Sequence, residues 1–254
     1  MKVYCCQTDI TWENREKNFR NVSELIEKGQ IPPRSLVLLP EMFASGFSMN
    51  VDTVAETPKN ETAEFLSRLA RNFSIYLIGG VVTKGADGRG LNQAAVFSPA
   101  GKELARYSKM QPFSLGGEAK AYAAGDDVVL FSWEGITVAP FVCYDLRFPE
   151  LFRAAVRRGA ELFAVIANWP VMRIQHWATL LQARAIENLA YVAGTNRCGD
   201  DPKLKYNGRS LIVNQHGDVL ADAGDGQKII SAEVDARAIR AWRQDFPALK
   251  DMRP

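Results

Sequence analysis

A thiol stands at Cys143, where the apolar run 135–142 (GITVAPFV) gives way to Tyr144-Asp145-Leu146-Arg147-Phe148-Pro149-Glu150. A cysteine at a strand end that faces a helix start is in a nucleophile's position. The strand makes it rigid, and the N–H groups opening the helix favour a thiolate and can cradle an oxyanion. The same residue also reads as one more small buried apolar side chain, which is what most free cysteines are. Two further groups follow strand-like runs: 36–40 (LVLLP) ends in Glu41, and Arg106-Tyr107-Ser108 leads to Lys109. Taken singly, Glu41 is a strand-end carboxylate before a turn and Lys109 a solvated lysine after a hairpin. Together, a thiol, a carboxylate and an ammonium could supply a nucleophile, a proton acceptor and an oxyanion partner.

In their order, LLPEMF, YSK and FVCYDLRFPE resemble the nitrilase superfamily of carbon–nitrogen hydrolases. LPEMFASGF, GGEAKAYAAGD, ANWP with Arg173 and an HW pair after it, QARAIENLAYVAGTNR and NGRSLIVNQHGDVLADAG all look like its omega-amidase branch, so the likeness covers nearly the whole chain. The resemblance implies a triad of Glu41, Lys109 and Cys143. It also places Glu118 where the family often carries a second glutamate, orienting Lys109 or the amide; the other reading of Glu118 is a solvated loop carboxylate. The implied chemistry is hydrolysis of the terminal amide of a small carboxylate-bearing substrate, such as 2-oxoglutaramate or 2-oxosuccinamate, to acid and ammonia. Glu41 would be the base, Cys143 would carry a thioester, and Lys109 with the Tyr144 N–H would face the oxyanion. Alternatives with the same triad are a nitrilase or an N-carbamoyl amino acid amidohydrolase. A non-catalytic binding subunit is a further one, disfavoured because no triad position is substituted. A Cys–His peptidase would have to use His176. One departure stands out: many relatives carry histidine two residues after the lysine, where this chain has Gln111. The triad is intact, so only a substrate- or loop-positioning role of that histidine is put in question.

The expected substrate-binding residues are Tyr144, Arg147, Asn168, Trp169 and Arg173. Arg147, just past the thiol, and Arg173, just past Asn168-Trp169-Pro170, could each hold a substrate carboxylate through bidentate hydrogen bonds. For Arg147 an internal ion pair with Asp145 or Glu150 is the competing reading. Arg184 interrupts the apolar row Trp177, Leu180, Leu181, with Glu187 three residues on, and is expected in a buried pair or subunit contact. His176 reads as a hydrogen-bonded packing residue, and His216, in Asn214-Gln215-His216-Gly217-Asp218, as a solvated hairpin residue.

The chain has 254 residues, with 31 basic and 29 acidic side chains and a formal charge of +2. Without a basic block, neither nucleic acid nor an anionic membrane is an expected partner. Two histidines and cysteines at 5, 6, 143 and 198 offer no metal-ligand spacing, so neither metal nor cofactor is expected, and reduced thiols fit best. The N-terminus runs straight into a strand-like segment without a charged region and long apolar stretch, and no run is long enough to span a bilayer. The expectation is a cytoplasmic protein.

Periodicity predicts strands at 2–7, 36–39, 75–82, 94–98, 103–107, 128–133, 135–142, 162–167, 191–195, 210–214, 219–223 and 229–234. Helices are predicted at 14–28, 61–72, 149–158, 175–188 and 236–242, and a functional loop at 110–125. This alternation makes an α/β chain, read as a single domain over 1–254. The resemblance, not the periodicity, implies the layering, a four-layer α-β-β-α sandwich, and pairing of protomers into a homodimer or higher homo-oligomer.

Overall fold

A computed structural model describes residues 1–57 and 59–253. In chain order its elements are β1 (Lys2–Gln7), α1 (Arg15–Lys28), β2 (Leu36–Leu38), α2 (Val51–Val54), α3 (Glu61–Phe73), β3 (Tyr76–Lys84), β4 (Gly90–Phe97), β5 (Glu103–Ser108), α4 (Glu118–Ala121), β6 (Phe131–Trp133) and β7 (Ile136–Val142). They continue with α5 (Pro149–Arg157), β8 (Leu162–Ala167), α6 (Ile174–Asn188), β9 (Tyr191–Asn196), β10 (Cys198–Asp200), β11 (Lys205–Asn207), β12 (Leu211–Val213), β13 (Val219–Asp222), β14 (Lys228–Glu233) and α7 (Ala236–Asp245). One sheet runs β14-β1-β2-β3-β4-β5 and the other β13-β12-β9-β8-β7-β6. Each has three parallel strands at its centre, β1-β2-β3 and β7-β8-β9, bordered by antiparallel ones.

The period-2 alternation of β1 shows how the layers are made. Val3 and Cys5 face the other sheet in the larger core cluster, while Tyr4 and Cys6 face away, among Val22 and Ile26 of α1 and Phe65 and Leu66 of α3. β1 lies against β9 and β4 against β7, so the two sheets stack face to face, with α6 against β9 and β12 on the far side. The result is the α-β-β-α sandwich. Asn14 caps α1 by accepting from the Lys17 N–H, and Pro149 opens α5 at a position where a missing N–H costs nothing.

Several local expectations are corrected. The segment after Cys143 is a 3-10 turn, Cys143–Arg147, and not itself a helix start, while α5 begins at Pro149 as expected. The loop 110–125 contains a 3-10 turn at Ser114–Gly116 and the short α4. β10 and β11 form a hairpin that periodicity did not indicate, because its pairing depends on distant partners: the Cys198 N–H donates to the Thr8 carbonyl.

Direction of travel brings the chemical groups to one end. β2, β7 and β8 are central parallel strands, and β5, twice reversed from β3, runs the same way as β2. Glu41, Lys109, Cys143 and Asn168 each lie just beyond the C-terminal end of one of these strands. Pro40, without an N–H, ends the β2 ladder, and Met42 at φ 45° turns the chain inward. Gly80 on β3 permits that turn: a Cβ there would lie 2.1 Å from the Met42 nitrogen and 2.8 Å from the Glu41 carbonyl carbon. Gly80→Ala should therefore destabilise the fold by about 1–3 kcal/mol, since the obstructing atoms are backbone and cannot rotate aside. A thermal midpoint equal to the parent's would refute this close approach.

Candidate active site

Three ionisable groups meet in the interior. Lys109 is 1% exposed, and Glu41 and Glu118 are fully buried. Lys109 Nζ donates to Glu41 Oε1 at 2.9 Å and to Glu118 Oε2 and Oε1 at 2.8 and 3.0 Å. Burial alone would lower the affinity of this amine for its proton, but the charges of Glu118 and Glu41, with Cys143 beside them, hold its pKa well above the ordinary lysine value. The remaining carboxylate lone pairs are met by neutral donors. Asn92 Nδ2 bridges Glu41 Oε1 at 2.7 Å and Glu118 Oε1 at 2.8 Å. The Phe113 N–H donates to Glu118 Oε2 at 2.6 Å, and the Asn168 N–H to Glu41 Oε2 at 2.8 Å. Glu118 is thus no solvated loop residue; its bonds to Lys109 and Phe113 explain why the loop turns helical at α4.

Cys143 has φ 49°, a conformation costly for a residue with a Cβ, and such strain is typically held where function requires it. Its side chain is half-buried, and Sγ lies 3.9 Å from the Asn168 carbonyl. Burial pushes the thiol pKa well up and the Glu41 carboxylate pushes it further, with Lys109 opposing. The expectation that helix N–H groups would favour a thiolate is corrected: burial first and the Glu41 carboxylate second outweigh a short 3-10 turn. The resting group is the thiol rather than the thiolate.

Above Cys143 lies a small cavity of about 40 Å³, enough for roughly three water-sized groups. Tyr144, Arg147, Asn168, Trp169 and Arg173, the expected substrate-binding residues, all line it, together with Phe47, Phe113, Leu204 and Tyr206. Arg147 and Arg173 form no ion pair among the described residues. Arg147 lies 4.8 Å from the Trp169 ring and bonds His176, and Arg173 lies 5.4 Å from the Phe113 ring. Asn168 is engaged mainly with Glu41: its Nδ2 also donates to the Glu41 carbonyl at 2.6 Å. Trp169 donates from Nε1 to the Arg173 carbonyl at 2.8 Å, tying the two lining residues together. His176 is exposed, not packed, whereas Arg184 is buried as expected, paired with Glu187 at 2.9 Å and donating to the Leu146 carbonyl.

Comparison with known proteins places this arrangement. The carbon–nitrogen hydrolase family profile matches residues 2–244. The chain belongs to that family. It is 38% identical to the omega-amidase YafV of Yersinia enterocolitica, over 99% of this chain and 96% of that protein. It is 30% identical to the 2-oxoglutaramate amidase of Bacillus subtilis, over 99% and 97%. Among solved structures, a CN-hydrolase superfamily protein of Xanthomonas campestris with an arsenic adduct in its active site superposes with a TM-score of 0.92 at 31% identity, covering 100% of this chain and 97% of that one. This carbon–nitrogen hydrolase is accordingly an enzyme of the amidase kind, in the nitrilase superfamily.

Sequence reasoning missed Asn92, although a polar Asn92-Gln93 pair inside the apolar strand GLNQAAVF was a readable signal. It also missed the role of Asp145, which points inward. Asp145 Oδ2 accepts from the Tyr107 hydroxyl at 2.8 Å and the Val142 N–H at 3.0 Å, and Oδ1 from the Gln111 N–H at 2.9 Å. It therefore ties the thiol-bearing turn to both sides of Lys109 and is unavailable to Arg147. Gln111, which departs from many relatives, joins this tie through its backbone. Burial pushes the Asp145 pKa up to about 7, although Lys109 and the three donors pull it down. With the folded pKa above the unfolded value of about 3.9, this group's contribution to stability is full below that value and is lost as pH rises through about 7. Asp145→Asn, which cannot ionise, should therefore gain in thermal midpoint relative to the parent as pH rises from 5 to 8. Parallel curves over that range would show that Asp145 does not titrate there.

Proposed function

We propose that the protein hydrolyses the terminal amide of a small carboxylate-bearing substrate through a thioester on Cys143. The observation that carries this reading is the buried Glu41–Lys109–Glu118 cluster beneath a half-buried thiol, in a cavity with two arginines free of ion pairs at its sides. Glu41 Oε2 takes the thiol proton as sulfur attacks the amide carbon. At rest Lys109 donates to Glu41 and to both oxygens of Glu118; giving up one of the two Glu118 contacts supplies an N–H for the developing oxyanion. The Tyr144 N–H, at the start of the 3-10 turn, is the second donor. Glu41 then gives its proton to the leaving nitrogen, ammonia departs, and a water deprotonated by Glu41 hydrolyses the thioester to acid and thiol. Glu118 holds Lys109 in place.

The names of the relatives, omega-amidase and 2-oxoglutaramate amidase, support 2-oxoglutaramate or 2-oxosuccinamate as substrate. Arg147 or Arg173 would receive the distal carboxylate, with Trp169 and Tyr144 walling the pocket and Asn168 holding Glu41. The small cavity favours a short unbranched chain. The same reading takes 1–254 as one catalytic domain, working as a homodimer or larger homo-oligomer in the cytoplasm. Four free cysteines support the reducing setting, and exposed Ile186, Val219 and Leu220 supply apolar surface for pairing.

Two measurements test the core of this reading. Cys143→Ala should abolish ammonia release while the protein stays folded, and retained turnover would exclude the thioester route. Replacing the arginine that holds the carboxylate by Met should raise KM for 2-oxoglutaramate by about 30-fold or more, and far less for an uncharged short amide, because a bound carboxylate loses its partner. If Arg147→Met and Arg173→Met both keep the parent's preference for the charged amide, carboxylate recognition falls and general amidase chemistry survives.

A further inference from the structure

We propose that Arg147 is the carboxylate receptor and that His176 is a positioning residue that aims it without neutralising it; this rests on the carboxylate-amide reading above. Arg147 Nη2 lies 3.1 Å from His176 Nδ1. A guanidinium only donates, so Nδ1 must offer its lone pair and the ring proton sits on Nε2. The guanidinium carbon lies 4.8 Å from the centroid of the Trp169 ring and 5.9 Å from that of Tyr144. Trp169 is itself buried against Trp177 of α6, with ring centroids 5.6 Å apart. Aromatic contacts thus fix where the Arg147 group lies, and the bond to His176 fixes its rotation about that position. Among the described residues its other N–H donors have no hydrogen-bond acceptor.

Arg173 is less constrained. Among the described residues, besides the Phe113 ring, its side chain hydrogen-bonds only the sulfur of neighbouring Met172, at 3.3 Å. A receptor held before the ligand arrives loses less freedom on binding, which favours Arg147.

The choice of side chain at 176 follows from charge. A carboxylate there would orient Arg147 equally well but would pair with it and compete with the substrate. A neutral imidazole orients the guanidinium and leaves its charge for the ligand. His176 is exposed on the first turn of α6, so this bond is not needed to fill the core.

The test uses the full-length enzyme with three substitutions at 176, each measured on 2-oxoglutaramate and on an uncharged short amide. Asn sets its Oδ1 near the place of Nδ1 and should stay close to the parent. Leu removes the acceptor and should raise KM for the charged amide by about tenfold or more, as for one hydrogen bond to a charged group. Glu keeps an acceptor but adds a competing anion and should raise KM further than Leu does. For the uncharged amide the variants should differ far less. In an Arg147→Met background the differences among the variants should vanish, which a merely structural role of His176 would not produce. If His176→Leu keeps the parent's ratio of KM values, or His176→Glu is no worse than His176→Leu, the positioning role is wrong. If Arg147→Met alone leaves the preference for the charged amide intact, the assignment of Arg147 falls first. Should His176→Leu fail to fold, the contrast between Asn and Glu still decides the matter.

Discussion

An ammonium enclosed by two carboxylates in the interior is the constraint on which the site depends. Lys109, Glu41 and Glu118 have almost no contact with solvent, and one positive and two negative charges leave one net negative charge in a protein core. Buried ion pairs give little stability by themselves, because desolvation consumes most of the attraction, yet removing one partner strands a charge and is strongly destabilising. The fold tolerates the cluster because Asn92, the Phe113 N–H and the Asn168 N–H point donors at its oxygens. These donors come from β4, from the loop before α4 and from the end of β8. The cluster thereby ties together both sheets and the loop, and a shift in any of them would leave a buried lone pair unmet.

In the proposed mechanism the same net charge serves the chemistry. When the proton moves from Cys143 to Glu41, the negative charge passes from carboxylate to sulfur, and attack passes it on to the carbonyl oxygen. It never leaves the neighbourhood of Lys109, whose proton is held firmly by Glu41 and Glu118. Because the environment is already built around one negative charge, little reorganisation is needed as that charge relocates. This also gives a reason for the raised pKa of the resting thiol. A thiolate formed while Glu41 was still ionised would put three negative charges around one ammonium, so sulfur becomes charged only as Glu41 becomes neutral.

Much of this was legible because Glu41 and Cys143 end apolar runs and Lys109 follows a strand-like one. Leu36 to Leu38 and Ile136 to Val142 read as strands by composition, and a polar side chain at such an end has a position as soon as the strand does. Taken singly, Glu41, Lys109 and Cys143 had ordinary structural explanations, and it was the family resemblance that joined them into a triad. What stayed hidden depends on contacts distant in sequence. Asn92 looks like any strand asparagine until β4 is laid beside β5 and α4. The four residues of α4 are too few for a helical period, and tertiary bonds of Glu118 hold them. The hairpin β10–β11 is kept in place by the buried Arg197, stacked 4.5 Å from Tyr206 and donating to the Ile10 carbonyl. The bonds of Asn92 to Glu41 and of Arg197 to Ile10 join residues 51 and 187 positions apart, so no short window of sequence reveals them.

The substrate side of the cavity follows a different rule from the catalytic side. Around Glu41 and Lys109 every charge is answered by protein, which fixes geometry and excludes alternatives. Around Arg147 and Arg173 aromatic rings support the cations without answering their charge, since a ring attracts a guanidinium yet cannot neutralise it. Asp145, the acid nearest to Arg147 in sequence, is drawn away by Tyr107, Val142 and Gln111. That inward bond set therefore does two things at once: it braces the thiol turn against the lysine strand, and it keeps Arg147 free of an internal partner. A chain that let Asp145 turn outward would lose both, which is why the arrangement of the nucleophile and the openness of the pocket to an anion are features of one local structure.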